Sequence, residues 1–405
     1  MAVRERIWVG IDVGKTAHHA CAVDGTGKVV FSQRVDNGQA AIEQLIARAG
    51  KAAVEVRWAV DLTSGAAGLL VVLLLTTGQP VAYVSGQTVN RMAGAFGGEG
   101  KTDAKDARVI AQTCRMRADL PELSVPDPVV TDLAVLTARR SDLMNDWVRD
   151  VNRLRELLSS VFPVLEKALD CTTRAALSPL TGFQTPAAVR DAGEPGLTRH
   201  LHDLGVRPGP AHTVTAKALA AAAGQTVALP AEAVTAPLIA RLARQLLDLD
   251  REAKDLTTQI GDTFRAHPQA AIIESLPGLG PVLGAELLIG TGGDLTTFRG
   301  PDKLAAFAGL APMPRDSGRI SGNLRKPRRH HRGLRRVFSM AALVSAMREG
   351  PSRTFYQRKR TEGKHHIQAL IALARRLVDV LWALLRDNRP FTSTIANAAA
   401  TPTVA

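Results

Sequence analysis

Over the first 120 or so positions the apolar residues fall in short β-type runs, and beyond about residue 126 they recur every three, four or seven positions. The stretch Arg6-Ile-Trp-Val-Gly-Ile-Asp-Val-Gly-Lys15 reads as a strand that carries Asp12 to its C-terminal end and then turns. A second run, His18 to Val23, and a third, Val29 to Val35, flank the tight-turn sequence Asp24-Gly-Thr-Gly-Lys28, so the three form a meander. Ile42, Leu45 and Ile46 give Ala40 to Ala49 helical spacing. Val54 to Val60 is a further strand that again ends in an acid, Asp61. Ser64 to Thr77 reads as a buried helix and Val81 to Val84 as a short strand. Gly94, Gly97, Gly98 and Gly100 then mark a mobile loop that feeds a helix opening at Lys101-Thr-Asp-Ala-Lys-Asp-Ala107.

The later part of the chain is helical in texture. Leu133, Leu136, Leu143, Trp147, Val151, Leu154, Leu158 and Val161 form one apolar stripe, and Leu238, Leu242, Leu246, Leu249, Leu256, Ile260 and Phe264 form a second. Two such helices predict either an antiparallel hairpin within the chain or a coiled coil between chains. Residues 170–232, rich in Ala, Pro, Thr and Gly, read as small helices and loops. Ser275-Leu-Pro-Gly-Leu-Gly-Pro-Val-Leu-Gly-Ala-Glu-Leu-Leu288 resembles a helix-hairpin-helix, in which Gly278 and Gly280 leave backbone N–H groups for a phosphate; equally, its glycines permit close helix packing. Phe298 to Leu310 is a short helix ending at Gly309, and apolar helices follow over Val337 to Met347 and Ile367 to Leu385. The pattern divides the chain into an α/β domain over 1–125, a helical region over 126–268, a mainly helical domain over 269–390 and a disordered tail over 391–405.

Composition sharpens this picture. With 405 residues, 45% of them apolar, the chain is long enough for two or three domains with their own cores. A formal charge of +13 implies a polyanionic partner, nucleic acid or an acidic membrane surface. The longest apolar run, Ala66 to Leu75, is too short to span a bilayer and the charged N-terminus is no signal peptide, which makes the cytoplasm the expected compartment. Cys21, Cys114 and Cys171 lack paired spacing, so they read as buried apolar residues rather than disulfides or zinc ligands. Aromatic residues make up only 4%, which favours recognition of backbone and shape over base stacking.

Two constellations carry candidate chemistry. Asp12 and Asp61 end strands, while Asp103 and Asp106 lie three apart on one helix face. Singly, these are turn formers or an acid-rich first turn favoured by the helix dipole. Together, in an alternating β/α context, they are the hard oxygen ligands that a two-metal phosphodiester site requires. Residues 315–336 hold nine Lys or Arg (Arg315, Arg319, Arg325, Lys326, Arg328, Arg329, Arg332, Arg335, Arg336) against Asp316 alone, with His330 and His331 added. An apolar helix follows at once, so this is an anchored nucleic-acid-facing loop rather than a free tail. Ser317 sits within it, before Gly318; a serine attacking a phosphate needs a base or cations around the developing charge, and the flanking arginines meet the second need.

A resemblance joins these pieces. Residues 1–120 resemble a RuvC-like, RNase H-type fold, and Gly10-Ile-Asp-Val-Gly-Lys15 and Lys101-Thr-Asp-Ala-Lys-Asp-Ala107, with Asp61 between them, resemble the DEDD acidic tetrad of the insertion-sequence transposase family numbered one hundred and ten. That family's usual second acid is Glu, where this chain has the shorter Asp61. Residues 275–322 and 332–348 resemble the same family's C-terminal transposase domain, whose nucleophilic serine lies in a Ser-Gly after a helix end like Gly309-Leu-Ala-Pro312. Ser317 fits that position, with Ser321 as the alternative.

The resemblance implies an α/β RNase H-like (RuvC-like) DEDD domain, a coiled-coil region and a mainly α-helical transposase domain. It implies Mg²⁺ or Mn²⁺ bound by Asp12, Asp61, Asp103 and Asp106, and Ser317 attacking DNA to form a covalent phosphoserine. The implied partners are double-stranded DNA of the element ends and target, a structured non-coding bridge RNA, and further copies of the chain in a dimer or tetramer, with no membrane, in a bacterial, nucleoid-associated setting. Lys15, Lys101, Lys105, Gly278, Gly280, Arg315, Arg319, Arg325, Lys326, Arg328, Arg329 and Arg332 are the candidate nucleic-acid contacts. The alternatives are a metal-dependent RuvC-like endonuclease or junction resolvase using the acids alone, and a non-catalytic nucleic-acid scaffold.

Overall fold

Alternation along the first strand decides how the N-terminal part is layered. In β1 (Arg4–Asp12) Ile7, Val9 and Ile11 point to one face, and Trp8 and Gly10 to the other. The computed structural model describes residues 4–63, 65–94, 102–125, 127–295, 298–314, 322–325 and 327–392. They divide into two units, 1–126 and 127–405.

In the first unit β1, β2 (Ala17–Asp24) and β3 (Val29–Asp36) form the expected antiparallel meander. The Asp24 carboxylate closes the β2–β3 turn by accepting from the Thr26 and Lys28 N–H groups, both at 3.0 Å. After α1 (Gln39–Ala52), β4 (Ala53–Val60) returns parallel to β1; after α2 (Gly68–Thr76), β5 (Val81–Tyr83) lies parallel to β4. The five-stranded mixed sheet has the order β3-β2-β1-β4-β5. Ile42, Leu45, Leu70 and Leu74 of α1 and α2 cover one face. The other is covered by α3 (Gly86–Ala93) and α4 (Asp103–Met116), through Val89, Ala107, Ile110 and Ala111.

Two details differ from the sequence pattern. The run before β5 is not buried all round, since Leu69 and Val72 are 41% and 47% exposed while Leu70, Val71 and Leu74 face the core. Helix α3 fills residues 86–93, ahead of the glycine-rich loop, where the sequence pattern predicts no element; it is only eight residues long and buries Val89 alone, too little periodicity to register, although the Ser85 hydroxyl caps it by accepting from the Thr88 N–H. Residues 95–100, the centre of the glycine-rich loop, lie outside the described residues.

In the second unit, α5 (Pro128–Val161) is followed by α6 (Pro163–Ala168), α7 (Arg174–Leu177), α8 (Pro186–Asp203), α9 (Pro208–Ala223) and α10 (Glu232–Arg265). The two long helices pair antiparallel within the chain, as Arg140 with Thr257 and Asp150 with Gln245 record in opposite running order. One stretch of the pair buries Val151, Leu158 and Leu246 against the small helices α6 to α9. The other buries Leu133, Ile260 and Phe264 against α11 (Ala270–Ser275), α12 (Pro281–Thr291), α13 (Pro301–Phe307), α14 (Arg332–Met347) and α16 (His366–Arg386), with the basic α15 (Pro351–Thr361) between the last two. Near its start α10 buries Ile239 and Ala243 while Leu238 is 48% exposed. The core there includes Ala218 and Ala222 of α9, and a shift of one residue turns the helix face by about 100°.

Among the described residues no helix is long and apolar enough to cross a membrane. The three cysteines are buried and free, and burial pushes the Cys114 and Cys171 thiols up to about 11. The tail expected from 391 begins docked, because the Phe391 N–H donates to the Ser275 hydroxyl at 2.8 Å; residues 393–405 lie outside the described residues.

Gly10 sets the distance between β1 and α4. A Cβ there would meet Ala111 N at 2.2 Å and Ala107 O at 2.3 Å, both backbone atoms that cannot step aside singly. Gly10→Ala should therefore destabilise the protein by roughly 1–3 kcal/mol through overpacking. An unchanged denaturation midpoint would show that the helix does not rest on this glycine.

Candidate active site

The parallel pairing of β1 and β4 brings two acids out of the sheet side by side. Ile11 faces Val60, so Asp12 and Asp61 are the next residues along the two strands. Because Ile11 and Val60 point into the α1/α2 core, alternation turns the following residues toward the α4 face. The link is direct: the Val13 N–H donates to Asp61 Oδ1 at 3.3 Å. Helix α4 supplies the other acids. Ala107 and Ala111 lie over Gly10, and Asp103, four residues before Ala107, continues that stripe beyond the sheet, where it is exposed.

Asp106 acts on Asp61 through charge. Burial raises the Asp61 carboxyl pKa above the ordinary range, Asp106 pushes it the same way, and the Val13 N–H pulls it down. The structure thus brings Asp61 beside Asp12 on the sheet and within the field of Asp106. Thr102 caps the helix by accepting from the Lys105 N–H at 3.2 Å, so Lys105 sits in the same first turn. Lys15 is exposed in the turn after Asp12, and Lys101 lies outside the described residues.

These residues fit a divalent metal in one specific sense. Among the described residues no three His, Cys, Asp or Glu side chains stand close enough to enclose one ion. Mg²⁺ does not require such a cage: it keeps several waters and takes one or two carboxylates together with substrate phosphate oxygens. A half-buried Asp61 carboxylate in the field of Asp106 is an all-oxygen donor set whose charge a hard cation would offset.

In the second unit, β6 (Met313–Pro314) and β7 (Leu324–Arg325) pair antiparallel, with residues 315–323 between them in the chain. Arg315, Ser317, Arg319, Ser321 and Lys326 lie outside the described residues. Arg325, Arg328, Arg329 and Arg332 are exposed. The base of this hairpin is fixed by residues that the sequence pattern gave only as charge. The His331 N–H donates to Phe307 O at 2.8 Å, its ring stacks 5.3 Å from that of Phe307, and its Nδ1 caps α14 by accepting from the Leu334 N–H. Burial lowers the His331 pKa. The Arg335 guanidinium donates to Gly309 O at 2.8 Å. Gly309, at a φ of +69°, lies so close to the His330 ring that a Cβ would come within 2.6 Å of it.

At the helix-hairpin-helix-like turn the glycines divide. Gly278, at a φ of +92°, faces the α14 backbone, where a Cβ would stand 2.4 Å from Ala341 O, and Gly284 faces the Phe264 ring. Both serve close packing. Gly280 caps α12, is exposed and has open space about it, in a cavity of about 650 Å³ that Ser345 and Arg348 also line.

Comparison with known proteins gives the following. A transposase family model matches residues 9–163, and the model described as Transposase IS116/IS110/IS902 family matches residues 270–357. The chain is 52% identical over 391 residues to the insertion element IS116 uncharacterized 44.8 kDa protein of Streptomyces clavuligerus, covering 96% of each. It is 31% identical over 134 residues to the pilin gene-inverting protein of Moraxella bovis, covering 33% of this chain and 41% of that one. Among solved structures, T. thermophilus RuvC in complex with a Holliday junction substrate aligns with 29% of this chain and 100% of that chain, at 16% identity and a TM-score of 0.23.

The raised Asp61 pKa has a measurable consequence. A carboxyl whose folded pKa lies above its unfolded value lends stability below the ordinary Asp range, near pH 4, and loses it as pH rises through the folded value. Asp61→Asn keeps an acceptor for the Val13 N–H but carries no charge. Without divalent metal it should melt at a higher temperature than wild type at pH 7.5, with the gain shrinking toward pH 4. A variant less stable than wild type at pH 7.5 would contradict the charge strain at this site.

Proposed function

Because the chain belongs to the IS116/IS110/IS902 family of transposases, we propose that it cuts and rejoins the DNA of a mobile element and its target, with Ser317 as the attacking group. The observation that carries this reading is the agreement of two separate family matches, in order along one chain, with kinship to an insertion-element protein over 96% of both lengths. Rejoining, rather than hydrolysis alone, is supported by the relative named for inverting a pilin gene, since turning a DNA segment around leaves sealed junctions.

The chemistry divides between the two units. Ser317 Oγ attacks the scissile phosphorus; its bond to phosphorus forms as the bond to the 3′ oxygen breaks, and the 3′ oxygen takes up the proton that the serine gives up. The 5′-phosphoserine keeps the phosphodiester's energy, so a 3′ hydroxyl of another strand can reverse the step and reseal the DNA without an external energy source. Arg315 and Arg319 supply positive charge around the phosphate at that moment. Mg²⁺ or Mn²⁺ at the acidic site would supply further positive charge to phosphate oxygens. The chain's own part there is to hold Asp12, Asp61, Asp103 and Asp106 as oxygen ligands, with Lys15, Lys101 and Lys105 around the DNA backbone.

Residues 1–125 form the RuvC-like DEDD domain in this reading, 126–268 the helical, coiled-coil region that joins copies into a dimer or tetramer, and 269–390 the transposase domain. Gly280, Arg325, Lys326, Arg328, Arg329 and Arg332 contact nucleic-acid backbone, and the excess charge of +13 supports a large polyanionic partner. A bridge RNA that pairs with donor and target DNA would carry the sequence reading, which accords with a protein so poor in aromatic residues. The work takes place on the bacterial nucleoid.

Covalent trapping tests the central step. Protein, Mg²⁺, element-end DNA and the flanking element transcript are resolved under denaturing conditions, wild type beside Ser317→Ala and Ser321→Ala. The expected result is a protein–DNA adduct abolished by Ser317→Ala and retained by Ser321→Ala. Cleaved DNA without any adduct, unchanged by either substitution, would replace the recombinase with a hydrolytic nuclease.

A further inference from the structure

Behind the two acid-bearing strands, on the α1/α2 side of the sheet, one side chain joins the loops that follow both of them. Asn37, between β3 and α1, donates from Nδ2 to Lys15 O at 3.2 Å and to Ala66 O at 3.1 Å. Its own backbone N–H donates to Thr16 O at 3.0 Å. Lys15 and Thr16 belong to the turn that begins after Asp12, and Ala66 to the helical turn five residues after Asp61. Three hydrogen bonds from one residue thus tie the Asp12 turn to the Asp61 loop. The amide orientation follows from the network: two carbonyl oxygens can be met only by the NH₂ end.

The opposite end of the same amide is costly to keep. Asn37 Oδ1 is buried beside the ring of His18, which is 2% exposed, without a well-formed hydrogen bond to either ring nitrogen. Burial lowers the His18 pKa, while weaker hydrogen bonding to the Asn37 side chain and the Gly14 backbone pulls it upward, which puts the imidazole against these two groups. Buried polar atoms without well-formed hydrogen bonds weaken a fold. A residue that served only to fill this space would be better replaced by an apolar one. What Asn37 alone offers is the pair of amide protons that bridges the loops.

We infer that Asn37 is a positioning residue for the acidic site: it holds the loops after Asp12 and Asp61 in register so that their carboxylates present to one divalent ion, and His18 is the packing block beneath it. The inference rests on the reading of those acids as metal ligands. Residues that orient metal ligands from behind change affinity by about 10–100-fold when removed. Asn37→Ala should therefore weaken Mn²⁺ binding by the full-length protein, measured calorimetrically without DNA, by about that factor, and Asn37→Ser, which retains one donor, should fall between.

The controls separate the two ideas. Wild type that binds no Mn²⁺, or binds it as well as Asp61→Asn does, would overturn the metal reading itself. Wild-type binding that Asp61→Asn loses and Asn37→Ala keeps would leave that reading standing and overturn the clamp. Should Asn37→Ala fail to fold, hydrogen exchange on the wild type decides: Mn²⁺ is expected to slow exchange in segments 13–18 and 62–67 together. Protection confined to the start of α4 would overturn the inference.

Discussion

The acidic site depends on how closely α4 lies against β1. With no side chain at Gly10, the helix backbone rests directly on the strand at Ala107 and Ala111. That contact brings the first turn of α4, with Asp103 and Asp106, to the end of the sheet where Asp12 and Asp61 emerge. A larger residue would drive the helix backbone away from the strand, since even a Cβ would stand 2.2 Å from Ala111 N. The hydrogen bonds of Gln112 to Gly27 O at 2.7 Å and of Arg115 to Gly25 O at 3.1 Å then fix the other end of the same helix to the β2–β3 turn. The helix is held at both ends, so its acids have a defined place.

That place is bought at some expense in stability. Asp61 is half buried, and its charge is opposed both by burial and by Asp106. A sequence selected for stability alone would put an amide or an apolar residue there. Strained acids at the carboxyl ends of parallel strands are what a site looks like when its charge is to be neutralised by something the chain does not contain. The same logic covers Asn37 and His18, whose buried polar atoms lack well-formed hydrogen bonds although the loops around them are well bonded.

Much of this was legible in the sequence, for physical reasons that differ from element to element. Strand alternation and the turn chemistry of Asp24-Gly-Thr-Gly-Lys28 are local, so the meander and the emergence of Asp12 and Asp61 could be read directly. The helical stripes were also visible, although Leu238 misled because the identity of its neighbours, not its own period, decides which face of α10 is inward. What could not be read were contacts made across long sequence separation. Nothing in the spacing marks Asn37 as a bridge from residue 15 to residue 66, or Gly10 as the seat of a helix a hundred residues later. Likewise His330 and His331 look like part of a basic run, and only the packing against Phe307 and Gly309 makes them anchors.

The acids and the serine belong to different units of the chain. In the proposed reaction the acids are oxygen ligands for a cation and the attack falls to Ser317. His331 is engaged elsewhere, since its Nδ1 accepts from the Leu334 N–H as the cap of α14. The two family matches divide in the same way, one over residues 9–163 with the acids and one over 270–357 with the serine. The proposed reaction therefore draws its cation ligands and its attacking hydroxyl from parts of the chain that build their cores separately, the acids at the strand ends and on α4 and the serine beyond a helix end at Gly309.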